Sequence, residues 1–228
     1  THCISSAASD VYKRQIQYLP QKRIVMIESM YIGSGDVAAL LMGKNTKTHQ
    51  ALLKRFVSGV IPYYNALASP IDQLRTGAIL EERMLLQLPD DYFAQYKIVC
   101  QEMDVFKASL DFAKISEGQI VEFIEMKTIW WEEFGELKKK IDEGNPLEYI
   151  LKKRKHEYNQ VQEQLLCTGL SKGKIRYTSV STYDDSENWL RFFAPSDYVD
   201  VEIDRDEKVI DLIKERGKVF QLIKDAYE

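Results

Sequence analysis

The segment from residue 96 to residue 127 constrains the fold most, because it predicts three consecutive strands. It reads YKIVCQEM, DVFKASLDF and QIVEFIEMK, with short polar turns at Asp104 and at Glu117–Gly118. Apolar residues, many of them β-branched or aromatic, recur in each stretch, and turn-forming residues separate the stretches. The middle of the chain therefore predicts a strand meander.

The segments on either side predict helices and further strands. Helices are expected at 47–67, Ile71–Leu88, Trp130–Ile141, Leu147–Cys167 and Asp206–Tyr227. Strands are expected at Lys174–Thr182, Trp189–Phe193 and Tyr198–Ile203. This order of elements is typical of a mixed α/β fold, in which a central mixed sheet is flanked by helices.

The length of the chain, 228 residues, suits one domain with a substantial core. Its first fifteen residues, THCISSAASDVYKRQ, resemble translated sequencing-adapter read-through. We therefore expect residues 1–15 to be a non-native leader and residues 16–228 to form a single domain. No apolar run reaches the length of a bilayer span, so we expect a cytoplasmic protein without a membrane partner.

The cysteines and histidines argue against two kinds of metal centre. They are scattered, with no CxxC pair: Cys3, Cys100, Cys167, His2, His49 and His156. Zinc and iron–sulfur sites need closely spaced thiolates or imidazoles. We therefore expect any catalytic metal to be held mainly by carboxylates.

Charge is unevenly distributed along the chain. A net charge of -4 argues against a protein that coats nucleic acid through bulk positive charge. Two basic runs, Lys138–Lys140 and Lys152–Lys155, nevertheless follow the predicted meander. Each run indicates either a solvated helix face or a surface that contacts nucleic acid.

The last strand of the meander carries two charged residues on one face. Successive side chains of a strand point to opposite sides, so Val121, Phe123, Glu125 and Lys127 share a side. The two apolar residues would anchor that side in the core. A carboxylate and an ammonium then project together at the end of the strand.

Asp111 ends the preceding strand, and antiparallel pairing would bring it beside Glu125. Two neighbouring carboxylates repel each other unless a divalent cation lies between them, which favours Mg²⁺, with Mn²⁺ as an alternative. Together with Lys127 they could hydrolyse a phosphodiester. An isolated D…ExK pattern also arises by chance, and an exposed ion pair at a strand end is the alternative.

A larger ordered set of motifs surrounds these three residues: GAILE with Glu81, KASLDF with Asp111, FIEMK with Glu125 and Lys127, and EYNQVQEQLLCTG on a later helix. The set resembles the YqaJ-like viral recombinases and lambda-type phage exonucleases of the PD-(D/E)XK nuclease superfamily. It extends from about Ile32 to the C-terminus. The resemblance implies a restriction-endonuclease-like core.

The resemblance also implies roles for individual residues. Glu81, Asp111 and Glu125 would bind the metal, and Lys127 would be the catalytic lysine. The family's helix glutamine aligns best with Gln160, with Gln162 as the second choice. Helical periodicity places Gln162 on the apolar stripe with Tyr158, Val161 and Leu165, and places Gln164 on the side of Gln160.

A pocket for a DNA 5′-phosphate is implied at Ser34 and Ser109. The sequence departs from the family because the arginine expected about seven residues before Ser34 falls at Ile27 or Glu28. Phe112 also stands where relatives have glycine. The missing arginine leaves the polarity of digestion open.

The function implied is a Mg²⁺-dependent, 5′-to-3′ exonuclease of phage recombination that digests linear double-stranded DNA in the host cytoplasm. Expected partners are DNA, identical subunits in a ring and a single-strand annealing protein. One alternative is an endonuclease or repair nuclease of the same fold. The other is a catalytically silent DNA-binding or scaffold protein.

Overall fold

Six strands form one mixed sheet in the computed structural model, which describes residues 30–58 and 66–226. The strands are β1 (Ile32–Gly33), β2 (Tyr92–Val99), β3 (Phe106–Ser116), β4 (Gln119–Trp130), β5 (Lys172–Val180) and β6 (Tyr198–Asp204). β1 is parallel to β3 and β4 is parallel to β5, whereas the other neighbours are antiparallel. The prediction of a mixed sheet is confirmed.

Helices cover both faces of this sheet. They are α1 (Val37–Leu41), α2 (Lys47–Ser58), α3 (Asp72–Leu85), α4 (Trp131–Asp142), α5 (Pro146–Lys153), α6 (Lys155–Thr168), α7 (Asp185–Leu190) and α8 (Glu207–Asp225). Single 3-10 turns lie at Ser34–Asp36 and Ala66–Ala68. Among the described helices, none combines the length and hydrophobicity needed to cross a lipid bilayer.

The apolar residues form one core layer on each face of the sheet. The larger layer, beneath α6 and α8, includes Phe106, Phe123, Val161 and Ile213. The smaller layer lies beneath α3 and contains Leu80, Met84, Phe112, Ile124, Met126, Val180 and Phe193. Phe112 is only 1% exposed, so this residue is part of the core under α3.

β3 and β4 form a hairpin that is longer than predicted. Glu117 and Gly118 both have positive φ, 51° and 77°, as a two-residue hairpin turn of the primed type requires. Asp111 was expected at a strand end. It lies instead in the middle of β3, because pairing with β2 continues to Lys114.

The two hairpin strands separate beside Asp111. β2 pairs with β3 along one edge of β3. Along the other edge of β3, β1 pairs with residues 106–107 and β4 pairs with residues 112–116. Among the described residues, 108 to 111 have no strand partner on that side. Beyond Ile124, β4 continues alongside β5 instead. A gap in the sheet therefore opens at Asp111.

The predicted strand at Trp189–Phe193 is wrong. The segment begins as α7, because the Asp184 carboxylate accepts hydrogen bonds from the backbone N–H groups of Ser186 (2.8 Å) and Glu187 (3.2 Å). At Phe193 the backbone N–H and C=O pair with the Gln87 side chain, at 2.8 and 3.1 Å, rather than with a strand.

The helix predicted at Leu147–Cys167 is two helices that meet at Arg154. The φ and ψ of Arg154, -132° and 31°, are not helical. Its guanidinium binds Glu133 on α4 and lies 3.1 Å from Glu157 on α6, so tertiary ion pairs hold the break. The remaining predicted helices and strands are present with shifted ends. The predicted helix 47–67 is described only to Ser58, and residues 1–15 lie outside the described ranges.

Replacing Gly217 of α8 with alanine should destabilise the protein. The added Cβ would lie 2.4 Å from Cζ of Phe106, so the core must shift. We expect the free energy of unfolding to fall by about 1–3 kcal/mol in urea titrations, although alanine favours helix. Gly135→Ala on α4, where nothing lies within 4 Å, is the matched control and should stabilise by about 0.5–1 kcal/mol. Equal effects of the two changes would contradict the predicted steric clash.

Candidate active site

Glu125 is a buried carboxylate with three side-chain donors. It is 1% exposed, and its Oε1 accepts hydrogen bonds from Lys127 Nζ and Gln160 Nε2, each at 2.6 Å. Its Oε2 accepts one from Gln164 Nε2 at 2.5 Å. β4 therefore presents Glu125 and Lys127 on one face, and α6 supplies the two glutamines.

The side chains at the gap satisfy backbone groups that the separation of β3 and β4 leaves open. Asp111 Oδ2 accepts the Met126 N–H at 2.8 Å. Gln164 Nε2 also lies 3.1 Å from the carbonyl oxygen of Ser109. Buried backbone groups without partners are costly, so these contacts stabilise the gap as well as placing the carboxylate.

Glu81 reaches the same place from α3, on the other face of the sheet. Gln95 of β2 links it to Asp111: Gln95 Nε2 lies 3.1 Å from Glu81 Oε2 and 3.5 Å from Asp111 Oδ1. The structure thus brings Glu81, Asp111 and Glu125, hereafter the acidic cluster, to one place with Lys127 beside them.

The alternation of side chains between the two faces of the sheet is interrupted at Gln95 and Asp111. Residues two apart normally share a face of a strand. Here Leu110 packs in the larger core layer and Phe112 in the smaller one, and Tyr96 and Ala94 are divided in the same way. Gln95 has a φ of 50°, in the left-handed region. This local distortion directs both side chains into the acidic cluster.

The pKa values reflect crowded negative charge. Burial, reinforced by the charge of Glu125, raises the pKa of Glu81 to about 7. Burial and the charges of Glu125 and Glu81 raise the pKa of Asp111 well above its usual range. Burial disfavours the charged form of Lys127, but Glu125 and Asp111 outweigh it and raise the pKa of the ammonium. Ionisation of all three carboxyl groups would place more negative charge here than one lysine neutralises.

The acidic cluster offers the type of donor atom that a hard divalent cation prefers. Across residues 30–58 and 66–226, no three acidic, histidine or cysteine side chains are gathered closely enough to bind one metal ion as they stand. Glu125 faces Lys127 and two glutamines, and Gln95 bridges the other two carboxylates. The donors are carboxylate oxygens whose mutual repulsion a cation would relieve, the chemistry that suits Mg²⁺ or Mn²⁺.

The three glutamines of α6 divide between two sides of the helix. Gln160 and Gln164 face Glu125. Gln162 binds the carbonyl oxygen of Asp204 (2.8 Å) and the N–H of Asp206 (2.7 Å), which fixes the approach to α8. As the glutamine of the candidate active site, the geometry favours Gln160 over Gln162. It adds Gln164, which helical periodicity places on the same side of the helix as Gln160.

The two serines suggested for a 5′-phosphate pocket lie in different surroundings. Ser109 is half-buried, and its hydroxyl lies 3.4 Å from Gln95 Oε1, beside the acidic cluster. Ser34 is 5% exposed, and its hydroxyl faces the Glu163 carboxyl, whose pKa burial raises to about 8. The positions where an arginine was expected, Ile27 and Glu28, lie outside the described residues.

Gln95 is the site residue that the sequence did not suggest. It stands in a stretch that reads as an ordinary strand, and the residue type alone gives no sign of a positive φ. Its contacts are with Glu81 and Asp111, fourteen and sixteen positions away in the chain. Only the tertiary arrangement identifies it.

Solved structures of two exonucleases have a similar fold. An alkaline exonuclease (LHK-Exo) from Laribacter hongkongensis is 18% identical, with a TM-score of 0.55 over 86% of this chain and 89% of that one. Its complex with dAMP is 17% identical and gives 0.54 over the same shares. A phage-related exonuclease from Haemophilus somnus 129PT is 18% identical, with 0.55 over 87% and 95%.

The likeness to phage exonucleases predicted from the sequence is confirmed at the level of the fold. The matched structures cover most of both chains. No protein-family profile matches the sequence, and no curated protein matches it. The mixed sheet with flanking helices is thus a fold that exonucleases use.

Glu81→Gln should change how stability depends on pH in protein freed of metal. The pKa of Glu81 is about 7 when folded and 4.5 ordinarily, so the folded state binds the proton more tightly. Stability is therefore lost as the pH rises from about 4.5 through 7. The glutamine variant should be more stable than wild type at pH 8 by roughly 1–2 kcal/mol, after allowance for solvent screening.

Urea unfolding at pH 4.5 and at pH 8 tests this prediction. At pH 4.5 Glu81 is protonated in the folded protein, so wild type and variant should differ little and provide an internal control. A variant that is no more stable than wild type at pH 8 would show that folding does not raise the pKa of Glu81.

Proposed function

We propose that this protein is a metal-dependent DNA nuclease that hydrolyses phosphodiester bonds, acting as an exonuclease on linear double-stranded DNA. The observation that carries the proposal is the acidic cluster with Lys127 and Gln160 at the gap between β3 and β4. The fold is shared with proteins described as exonucleases, one of them in complex with dAMP. Fold alone does not define function, so the site is the stronger support.

Asp111, Glu125 and Glu81 would hold Mg²⁺, or Mn²⁺ in its place. When bound, the cation supplies polarisation of the phosphate and a lower pKa for an attacking water. Asp111 is fixed for this role by the Met126 N–H, and Glu125 is fixed by Gln160 and Gln164. Rigid carboxylates reduce the reorganisation that the reaction requires.

Lys127 acts in this proposal as a charged donor. Glu125 and Asp111 raise the pKa of its ammonium, so it carries a proton at neutral pH. From 2.6 Å beside Glu125 Oε1, it can orient a water and offset the negative charge that develops on the phosphate. Charge stabilisation fits these surroundings better than deprotonation of the water, because a protonated ammonium cannot accept a further proton.

Ser34 bears on the choice between exonuclease and endonuclease. A group that binds the phosphate of a DNA end must be accessible, whereas Ser34 is 5% exposed. Ser109 beside the acidic cluster is the more accessible of the two serines. The burial of Ser34 supports an endonuclease or repair nuclease of the same fold as the second candidate. The 5′-to-3′ polarity of the proposed exonuclease comes from the family resemblance.

The wider role proposed is recombination of phage DNA in the cytoplasm of a host cell. Identical subunits in a ring and a single-strand annealing protein are the partners that the family resemblance suggests. One of the matched proteins is described as phage-related. A catalytically silent DNA-binding or scaffold protein remains the alternative outside the enzymes, and an activity assay separates it from the nuclease.

Asp111→Ala and Lys127→Ala should each abolish digestion of DNA. Purified protein is incubated with Mg²⁺ or EDTA, with 5′-phosphorylated linear duplex and with closed circular DNA. We expect wild type to digest the linear form with Mg²⁺ only, and each variant to lose activity by a factor of about 100 or more. Lys114→Ala is the control, because Lys114 lies on the same hairpin as Asp111 and Lys127 but forms only a surface ion pair, with Asp91.

The outcomes separate the candidates. Digestion of the linear DNA alone supports the exonuclease, whereas cleavage of the circle supports the endonuclease. DNA that stays intact under Mg²⁺ with folded wild-type protein contradicts both and favours the silent protein. Full activity in Lys127→Ala would remove that residue from the reaction.

The basic run Lys152–Lys155, where α5 ends and α6 begins, lies near the site along the chain. Lys152 and Lys155 are exposed, and Gln160, which touches Glu125, is five residues after Lys155. At the rise of an α-helix this is a separation of about 7.5 Å along the axis. In the other run, Lys140 pairs with Glu143 at 2.5 Å.

Replacing Lys152 and Lys155 together with alanine should weaken DNA binding without changing sequence preference. Each lysine that binds a phosphate adds about 0.9 to the slope of log affinity against log salt, so the slope of the double variant should be smaller by about 2. Binding is measured by anisotropy in EDTA, which prevents cleavage. The double variant Lys208→Ala/Lys218→Ala, on α8, matches the charge change and should leave the slope unaltered. Equal slopes in the two double variants would contradict DNA binding at the junction of α5 and α6.

A further inference from the structure

Gln95 lies inside the acidic cluster, although the proposed chemistry gives it no task. Its Nε2 is within reach of Glu81 Oε2 (3.1 Å) and of Asp111 Oδ1 (3.5 Å). Its Oε1 accepts a longer contact, 3.4 Å, from the Ser109 hydroxyl. One amide therefore joins two carboxylates and a serine that come from β3 and α3.

Gln95 approaches carboxylate oxygens that the other hydrogen bonds of the acidic cluster do not use. Asp111 Oδ2 is already bound to the Met126 N–H at 2.8 Å, so Oδ1 is the oxygen that can take another partner. Both oxygens of Glu125 are bound to Lys127 and the α6 glutamines. A cation shared by Asp111 and Glu81 would use the two atoms that the amide now contacts.

The backbone at Gln95 is held in a conformation that L-residues seldom adopt. Its φ is 50°, and Glu117 in the hairpin turn is the only other non-glycine residue with positive φ in the described ranges. Glu117 is explained by its turn, whereas Gln95 lies within β2. Backbone strain of this kind persists where surrounding structure enforces it, and it is concentrated at functional sites.

We propose that Gln95 is a placeholder for the metal: its amide holds Glu81 and Asp111 together in the metal-free protein and is displaced when a divalent cation binds them. This inference rests on the proposed function, because it takes the same carboxylates as metal ligands. A neutral N–H donor offsets the repulsion between two carboxylates only in part. A divalent cation offsets it more strongly and takes over both oxygens.

The placeholder has a thermodynamic consequence. Hydrogen bonds present only in the metal-free state must break when the cation binds, so they lower its affinity. Gln95 is accordingly a positioning residue that acts on the metal through Glu81 and Asp111. Removing its amide should therefore strengthen metal binding, which is opposite to the effect of removing a ligand.

Calorimetric titration of the full chain with Mn²⁺ tests the proposal. Gln95→Gly and Gln95→Asn both tolerate positive φ, and neither can bridge the two carboxylates, since asparagine is one methylene shorter. We expect each to bind Mn²⁺ about fivefold more tightly than wild type, the factor that one ordinary hydrogen bond contributes. Asp111→Ala should bind it more weakly.

Glu117→Gly is the matched control, since it relieves the same backbone strain away from the acidic cluster. Its Mn²⁺ affinity should equal that of wild type. Unchanged or weaker binding in both Gln95 variants, with normal binding by wild type, would overturn the placeholder and leave the proposed nuclease intact. Absence of Mn²⁺ binding by folded wild-type protein would overturn both, and tighter binding by Glu117→Gly would assign the effect to the backbone.

Discussion

The separation of β3 from β4 beyond the Phe112–Ile124 pair is the constraint on which the site depends. It leaves backbone groups near Ser109 and Met126 without strand partners, in a region where water cannot replace them freely. The side chains of Gln164 and Asp111 bind those groups at 3.1 and 2.8 Å. Asp111, which is proposed as a metal ligand, thus also stabilises the sheet.

The two core layers bring partners to this gap from opposite faces. α6 packs in the larger layer and turns two glutamines toward Glu125, whereas α3 packs on the smaller layer and supplies Glu81. The interrupted alternation at Gln95 and Asp111 lets side chains from both layers meet. Without it, residues of one strand face would remain on one side of the sheet.

The site departs from what stability alone would favour. Three carboxylates share one lysine, the pKa of Glu81 is raised to about 7, and Gln95 is held at positive φ. Each of these opposes folding, and the buried aromatic residues on both faces, such as Phe112 and Phe123, compensate. Unfavourable charge and backbone conformation concentrated in one place mark a functional site. They do so more specifically than the fold, because one fold can serve many functions.

Local sequence patterns define the strand meander, the shared face of Glu125 and Lys127, and the common side of Gln160 and Gln164, because the periods of strands and helices are local properties. They do not define the middle-of-strand position of Asp111, the burial of Ser34, the break at Arg154 or the pairing of Phe193 with a side chain instead of a strand. These depend on contacts between distant segments: Arg154 with Glu133, Gln87 with Phe193, and Gln95 with Glu81 and Asp111. Which side chains enter the gap is settled by the tertiary structure, since the gap arises from which strands pair and where that pairing stops.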